Sequence, residues 1–372
     1  MLDKLPVVSV AVCDTPSGKY EFLGYVHYPD GTRLGEKETD EPQFDPGVIT
    51  EKDQTYLYTG FCGIGDKSRS GAMVTILDKD MLTVKTAPKI IVPGSEYSKD
   101  TPYEGHAFFE APSIRKRGDT YYFIYSSEVM HELCYATSKE PTGGFKYGGV
   151  IVSNCDLHID TYKPADMPTA YGANNHGSMV QIGDDWYIFY HRMTNNTIMS
   201  RRACVEKIEI LPDGTIPTVE MTSLGFEDSL DPFKPYPADI VCVLKGGCFI
   251  TEKDIFTRSI VNITHGNVIG YKYFDFGEDF SSKTMKIALK VRGMGTVAKV
   301  AVYADDYENS EPVGYVDIGT GDGVYTGVVK SLTGRHSIYF VPTAFSDELA
   351  DWIADYFKNK PLFELEEFVF MK

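Results

Sequence analysis

The chain has 372 residues, length enough for two domains with a core each, and its 25 Tyr, 21 Phe, 34 Gly and 20 Pro favour a turn-rich β protein. Its 53 acidic and 36 basic residues leave a formal charge of −17, which speaks against nucleic acid or an anionic membrane surface as partner and suits an uncharged ligand such as a sugar. The seven cysteines (Cys13, Cys62, Cys134, Cys155, Cys204, Cys242 and Cys248) contain no C-x-x-C pair, so a zinc or thiol-redox motif is not expected, and free thiols in a reducing, cytoplasmic setting are.

From the start, no apolar run is long enough to span a membrane, and Met1-Leu2-Asp3-Lys4 leads into a strand without a signal peptide. Val10 to Phe22 reads as strand, turn and strand. It recurs as Tyr135 to Phe145, with Ala11 and Ala136, Pro16 and Pro141, and Gly18 and Gly143 each 125 residues apart. A longer unit repeats as well. Asp45-Pro46-Gly47-Val48-Ile49 precedes Tyr56, Ala111-Pro112-Ser113-Ile114 precedes Tyr122, and His176-Gly177-Ser178-Met179 precedes Tyr187, the tyrosine following 11 residues after the first residue each time. The units start 66 and 65 residues apart. A period this long, filled by short aromatic strands, suits four-stranded propeller blades. In the later copy the Tyr135 motif is the outer half of a blade, and the first copy lacks an inner half. The chain is therefore expected to begin inside a blade.

Beyond the third unit, Cys204 to Ile210, the turn Pro212-Asp213-Gly214 and Thr215 to Thr222 continue the β pattern. Asp228 to Asp239, with three prolines, reads as a linker. From about Ile240 the repeat stops. Val261-Asn262-Ile263, Val268 to Phe276, Thr284 to Val291, Ala298 to Tyr303 and Ser337 to Val341 are predicted strands of a β-sandwich, and Ser346 to Lys358 alone has helical spacing. The expected fold is all-β: an incomplete propeller over residues 1–228, a linker over 229–239 and a sandwich over 240–372.

In a propeller the innermost strands line the axis, so Asp45, Glu110 and His176, at nearly the same phase of three blades, should converge. Two carboxylates in one cleft are what glycoside hydrolysis requires, one of them protonated as acid. The one-residue offset at Glu110 runs against the alternation of a strand. Each acid alone is also explained as a turn cap, and His176 as a core histidine or as a residue beside a bound cation.

Phe44-Asp45-Pro46, Phe109-Glu110-Ala111-Pro112, the Asn175-His176-Gly177-Ser178 loop and Ser200-Arg201-Arg202 resemble the motifs of glycoside hydrolase family 43, over about residues 7 to 225. That family comprises five-bladed propellers, many of them β-xylosidases, α-L-arabinofuranosidases or arabinanases. The resemblance implies that Glu110 is the general acid and that Asp45 tunes its pKa and orients the sugar, with Phe44 beside it. It further implies that Arg201 reaches sugar hydroxyls and that His176 lies near a calcium ion, by way of water. The family inverts with a third carboxylate, the general base, on its first blade, and no position here corresponds to it. Asp14 lies in the outer-blade turn. The implied protein is an inverting glycosidase on xylo- or arabino-oligosaccharides whose turnover is reduced by ~10²–10⁴ or worse for want of the base. The alternative is a catalytically silent carbohydrate-binding protein. An open propeller would also expose strand edges that favour homo-oligomers. The later segments Ile263 to Phe276 and Gly334 to Phe340 resemble family 6 carbohydrate-binding modules, in which Tyr271 is a candidate sugar-stacking residue or a core residue.

Overall fold

The computed structural model describes residues 7–159, 168–254, 256–278, 281–344 and 358–372. Its described residues are strands, turns, two 3-10 turns and one helical residue, Lys358, so the fold is all-β; Lys358 ends the predicted helix, whose other residues lie outside the described ones. The chain divides into two compact units. The first comprises residues 1–153, 174–191 and 207–219, and the second 154–173, 192–206 and 220–372.

In the first unit, β1 (Ser9–Val12) and β2 (Glu21–Tyr25) form a two-stranded sheet. Next, β3 (Gly47–Glu51), β4 (Gln54–Thr59), β5 (Gly71–Leu77) and β6 (Val84–Pro93) form a four-stranded antiparallel meander. A second meander follows, of β7 (Phe108–Arg117), β8 (Thr120–Ser127), β9 (Glu132–Ser138) and β10 (Lys146–Ser153). The third unit of the repeat supplies β11 (Ser178–Ile182), β12 (Asp185–Thr194) and β13 (Thr197–Ile208), a three-stranded sheet whose β12–β13 hairpin runs on into the second unit. Thr215 to Thr222, read as a further strand, makes one parallel bridge, Val219 to Val152 of β10. Two tight hairpins have both loop residues at positive φ, Lys52-Asp53 (47° and 64°) and Asn195-Asn196 (52° and 49°). That is the twist-matched turn of a two-residue loop.

The repeat is a physical one. Ser113 Oγ donates to Ser178 Oγ at 2.7 Å, and Lys116 Nζ donates to Glu51 Oε1 at 2.7 Å, each pair 65 residues apart. Equivalent positions of successive sheets therefore touch through their first strands. Tyr58, Phe108, Phe123 and Tyr125 are buried in one aromatic core that joins the two meanders. Gly47 sets how close β3 comes to β7, since a Cβ there would lie 2.4 Å from the Pro112 carbonyl oxygen. Gly47→Ala is therefore expected to destabilise by about 1–3 kcal/mol, because backbone rather than a flexible side chain must yield. A wild-type midpoint in urea unfolding of that variant would refute the close packing.

The second unit holds β14 (Tyr236–Pro237), β15 (Val243–Lys245), β16 (Phe249–Glu252), β17 (Arg258–Ile263), β18 (Val268–Asp275) and β19 (Thr284–Gly293). It continues with β20 (Ala298–Ala304), β21 (Gly314–Ile318), β22 (Gly323–Lys330), β23 (Arg335–Thr343) and β24 (Phe363–Met371). In place of two separate sheets there is one hydrogen-bonded sheet of 11 strands, ordered β15-β18-β23-β20-β21-β22-β19-β24-β17-β16, with β14 beside β24. It curls on itself. Tyr271 of β18 and Phe368 of β24, far apart in that order, meet with ring centroids 4.4 Å apart. Tyr271 is fully buried and donates to the Ala238 carbonyl, so it is a core residue and not a sugar-stacking one. The stretch read as a linker contributes Leu230 and Ala238 to the same core.

Candidate active site

Both carboxylate-bearing strand starts depart from regular β structure. Asp45 has φ 48° and Ala111, just after Glu110, has φ 63°. Non-glycine residues held in the left-handed region cost free energy and concentrate at functional sites. Between Phe108 and Ser113 the pairing of β7 with β8 slips twice. Such bulges re-aim a side chain, and here they absorb the one-residue offset of Glu110 within the repeat.

The loop Gly60-Phe61-Cys62 ties the two starts together. Gly60 N–H donates to the Phe44 carbonyl (3.1 Å) and Cys62 N–H to the Phe109 carbonyl (2.8 Å). Between them Phe61 stands edge-on to both Phe44 (5.5 Å) and Phe109 (5.3 Å). Three half-buried rings thus form a row alongside the acids. Phe61 itself carried no sequence signal, because its place in the row comes from hydrogen bonds to residues 16 and 47 positions away.

The three residues of matching phase converge. His176 Nε2 lies 2.8 Å from Glu110 Oε1, and His176 Nδ1 lies 3.7 Å from Asp45 Oδ2. One ligand atom from each of Asp45, Glu110 and His176 falls within 4.8 Å of the others. Asn174, absent from the sequence-derived set, donates from Nδ2 to Glu110 Oε1 at 2.8 Å and lies 3.2 Å from His176 Nε2. His191 steadies this loop. Its Nδ1 accepts from His176 N–H (3.3 Å), which leaves Nε2 to donate to the Asn174 carbonyl (2.9 Å). Glu110 is buried, whereas Asp45 and His176 are partly open. Buried carboxyl, neighbouring acid and imidazole form a proton-handling centre that two amide and ring contacts hold in one orientation. Arg201 lies exposed on β13 in the second unit; the adjacent Arg202 pairs with Asp239 there.

These three side chains alone do not fill a calcium shell, so an ion beside His176 would take most of its ligands from water. Ca²⁺ takes six to eight oxygens, and these two carboxylates and one imidazole are engaged with one another.

A buried acid beside a second carboxylate, on repeated four-stranded sheets, is an arrangement that glycoside hydrolysis uses. The profile of Glycosyl hydrolases family 43 matches residues 4–216. A xylosidase/arabinosidase of Thermoclostridium stercorarium is 54% identical over 368 residues, covering 91% of this chain and 75% of that protein. An arabinoxylan arabinofuranohydrolase of Paenibacillus polymyxa is 26% identical over 330 residues, covering 81% of this chain and 48% of that protein. Among solved structures, a family 43 arabinoxylan arabinofuranohydrolase from Bacillus subtilis in complex with cellotetraose aligns with a TM-score of 0.48 and 21% identity, over 97% of this chain and 73% of that one. The chain belongs to glycoside hydrolase family 43, and it is a glycosidase.

Proposed function

We propose that the chain hydrolyses xylose- or arabinose-containing plant polysaccharides or their oligosaccharides with inversion, the first unit being a propeller of the family's kind. The observation that carries this reading is the convergence of Asp45, Glu110 and His176 on one point, together with the 54% identity to a xylosidase/arabinosidase. Glu110 protonates the leaving glycosidic oxygen, Asn174 and His176 hold its carboxyl plane, and Asp45 supplies the neighbouring negative charge. The row of Phe44, Phe61 and Phe109 offers an apolar wall against which a sugar face packs. Inversion needs a carboxylate that activates water on the opposite face. No such base is identified in this sequence, and slow turnover by this chain is part of the proposal. A water-coordinated calcium near His176 also belongs to it, with no step routed through the ion.

Hydrolysis of aryl β-D-xyloside and aryl α-L-arabinofuranoside tests the reading. Turnover of either, with inverted anomeric configuration in the first product, supports it; sugar binding without any turnover would favour a silent carbohydrate-binding protein. Asp45→Asn removes a like charge within reach of Glu110. The basic limb of the kcat/KM profile is expected to move to lower pH, since a neighbouring anion keeps an acid protonated. An unmoved limb would detach Asp45 from the acid.

A further inference from the structure

A second cluster in the first unit shares no residue with the site above. Glu132 and Cys134 sit two apart on β9, so the strand's alternation turns both to one face. Both are buried, Glu132 being 2% exposed. His106 reaches them from the turn before β7, its carbonyl held by the Tyr125 hydroxyl at 2.8 Å. The three ligand atoms, His106 Nδ1, one Glu132 oxygen and Cys134 Sγ, lie within 4.8 Å of one another. Nδ1 is 2.9 Å and Sγ 3.7 Å from Glu132 Oε2. The Ser127 hydroxyl donates to that same oxygen (3.0 Å), and the Tyr147 ring stacks on His106 with centroids 5.4 Å apart.

We propose that His106, Glu132 and Cys134 form a binding site for a divalent ion of the zinc type. Ions of this kind take imidazole, carboxylate and thiolate together, in a tetrahedron with bonds of about 2.0–2.3 Å. Such bonds put donors roughly 3.3–3.6 Å apart. The Glu132–Cys134 spacing is already close to that, and the His106–Glu132 contact need open by only a few tenths of an ångström. The ion replaces a proton: the Cys134 S–H bond breaks and its proton leaves to solvent, while His106 binds as the neutral imidazole through an unprotonated Nδ1, its ring proton carried on Nε2. The His106 side chain is 36% exposed, which gives the ion a way in, and a water would supply the fourth ligand. Cysteine spacing along the sequence argued against zinc, but that rule sees only ligands that are neighbours in the chain, and these lie on a turn and a strand 26 residues apart.

The test uses the untagged full chain, stripped with EDTA and titrated with Co²⁺ as a spectroscopic probe, then with Zn²⁺. One equivalent should bind with a thiolate-to-cobalt charge-transfer band in the near ultraviolet, and Zn²⁺ should displace it. Cys134→Ser should lose the band. His106→Ala, at a partly exposed position, should weaken Co²⁺ binding by about tenfold or more. His176→Ala should leave the band intact, which separates this site from the sulfur-free cluster around Glu110. No charge-transfer band in the wild type, a band that survives Cys134→Ser, or wild-type affinity in His106→Ala would each overturn the assignment.

Discussion

Glu110→Gln is expected to remove hydrolysis of aryl xylosides and arabinofuranosides while leaving sugar affinity nearly intact. The substitution keeps the shape and the polar contact with Asn174 but cannot deliver a proton to a leaving oxygen. General acid catalysis is worth ~10²–10⁴ in rate, and the loss should grow with the basicity of the leaving group. Glu110 Oε1 takes hydrogen bonds from two groups at 2.8 Å or near it, so an amide oxygen can occupy the same position without repacking. Steady-state kinetics with two aryl leaving groups of different acidity, paired with calorimetry of xylose and arabinose binding, checks both halves. Equal rates in variant and wild type would take Glu110 out of the mechanism; a parallel collapse of affinity would make it a structural residue instead.

The largest stability effect is expected in the second unit. Lys272 is only 5% exposed, and its Nζ donates to Glu220 Oε1 at 2.7 Å and lies 3.7 Å from Asp156 Oδ2. Tyr273 donates to the other Glu220 oxygen (2.6 Å), and Met221 N–H to Asp156 Oδ1 (2.7 Å). Lys272→Met would leave two carboxylates packed together without their cation, a change that costs about 3–5 kcal/mol. Urea unfolding at pH 7 measures it, and a loss under about 1 kcal/mol would show the pair to be inessential.

The pH dependence has a definite sign. Burial, more than any other influence, raises Asp156 from an ordinary 3.8 to about 6; Lys272 and the Met221 N–H pull it down, and the Glu220 charge pushes it up. The folded state therefore holds a proton there that the unfolded chain has released. This stabilisation is complete below the unfolded value of 3.8 and is lost as the pH rises through about 6. A shift of this size corresponds to roughly 3 kcal/mol between the two ends of that window. Asp156→Asn, neutral throughout, should flatten the stability profile of the unit across it. The same downward slope between pH 4 and 7 in that variant would place its origin elsewhere.

Reading the chain residue by residue went furthest where the physics is local or periodic. Strand composition is a short-range property, so β18, β19 and β20 stand where aromatic and β-branched runs predict strands. Several strands of the second unit escaped that reading. Gly323–Lys330 begins in glycine, has a second glycine, Gly327, and exposes Val324 and Val328, while Gly314–Ile318 is too short to show a pattern. Both exist because the neighbouring strands supply hydrogen-bond partners. The sandwich expected there is a single curled sheet, and whether β21 joins β20 to β22 depends on edge pairing rather than composition.

What the sequence determined by itself was the all-β class, the 65-residue repeat and the common phase of Asp45, Glu110 and His176, because side-chain periodicity and repeat length are written along the chain. Tertiary structure alone decided the rest of the site. The double slip of β7 aims Glu110, the Gly60 to Cys62 loop ties two strand starts together, and Asn174 and His191 hold the acid and the imidazole. Tertiary structure also moved Tyr271 from candidate sugar platform to core, and brought His106 to Glu132 and Cys134. The physical reason is the same throughout. Burial, side-chain direction and hydrogen-bond partnership are set by segments distant in the chain, and no local pattern records which of them will meet.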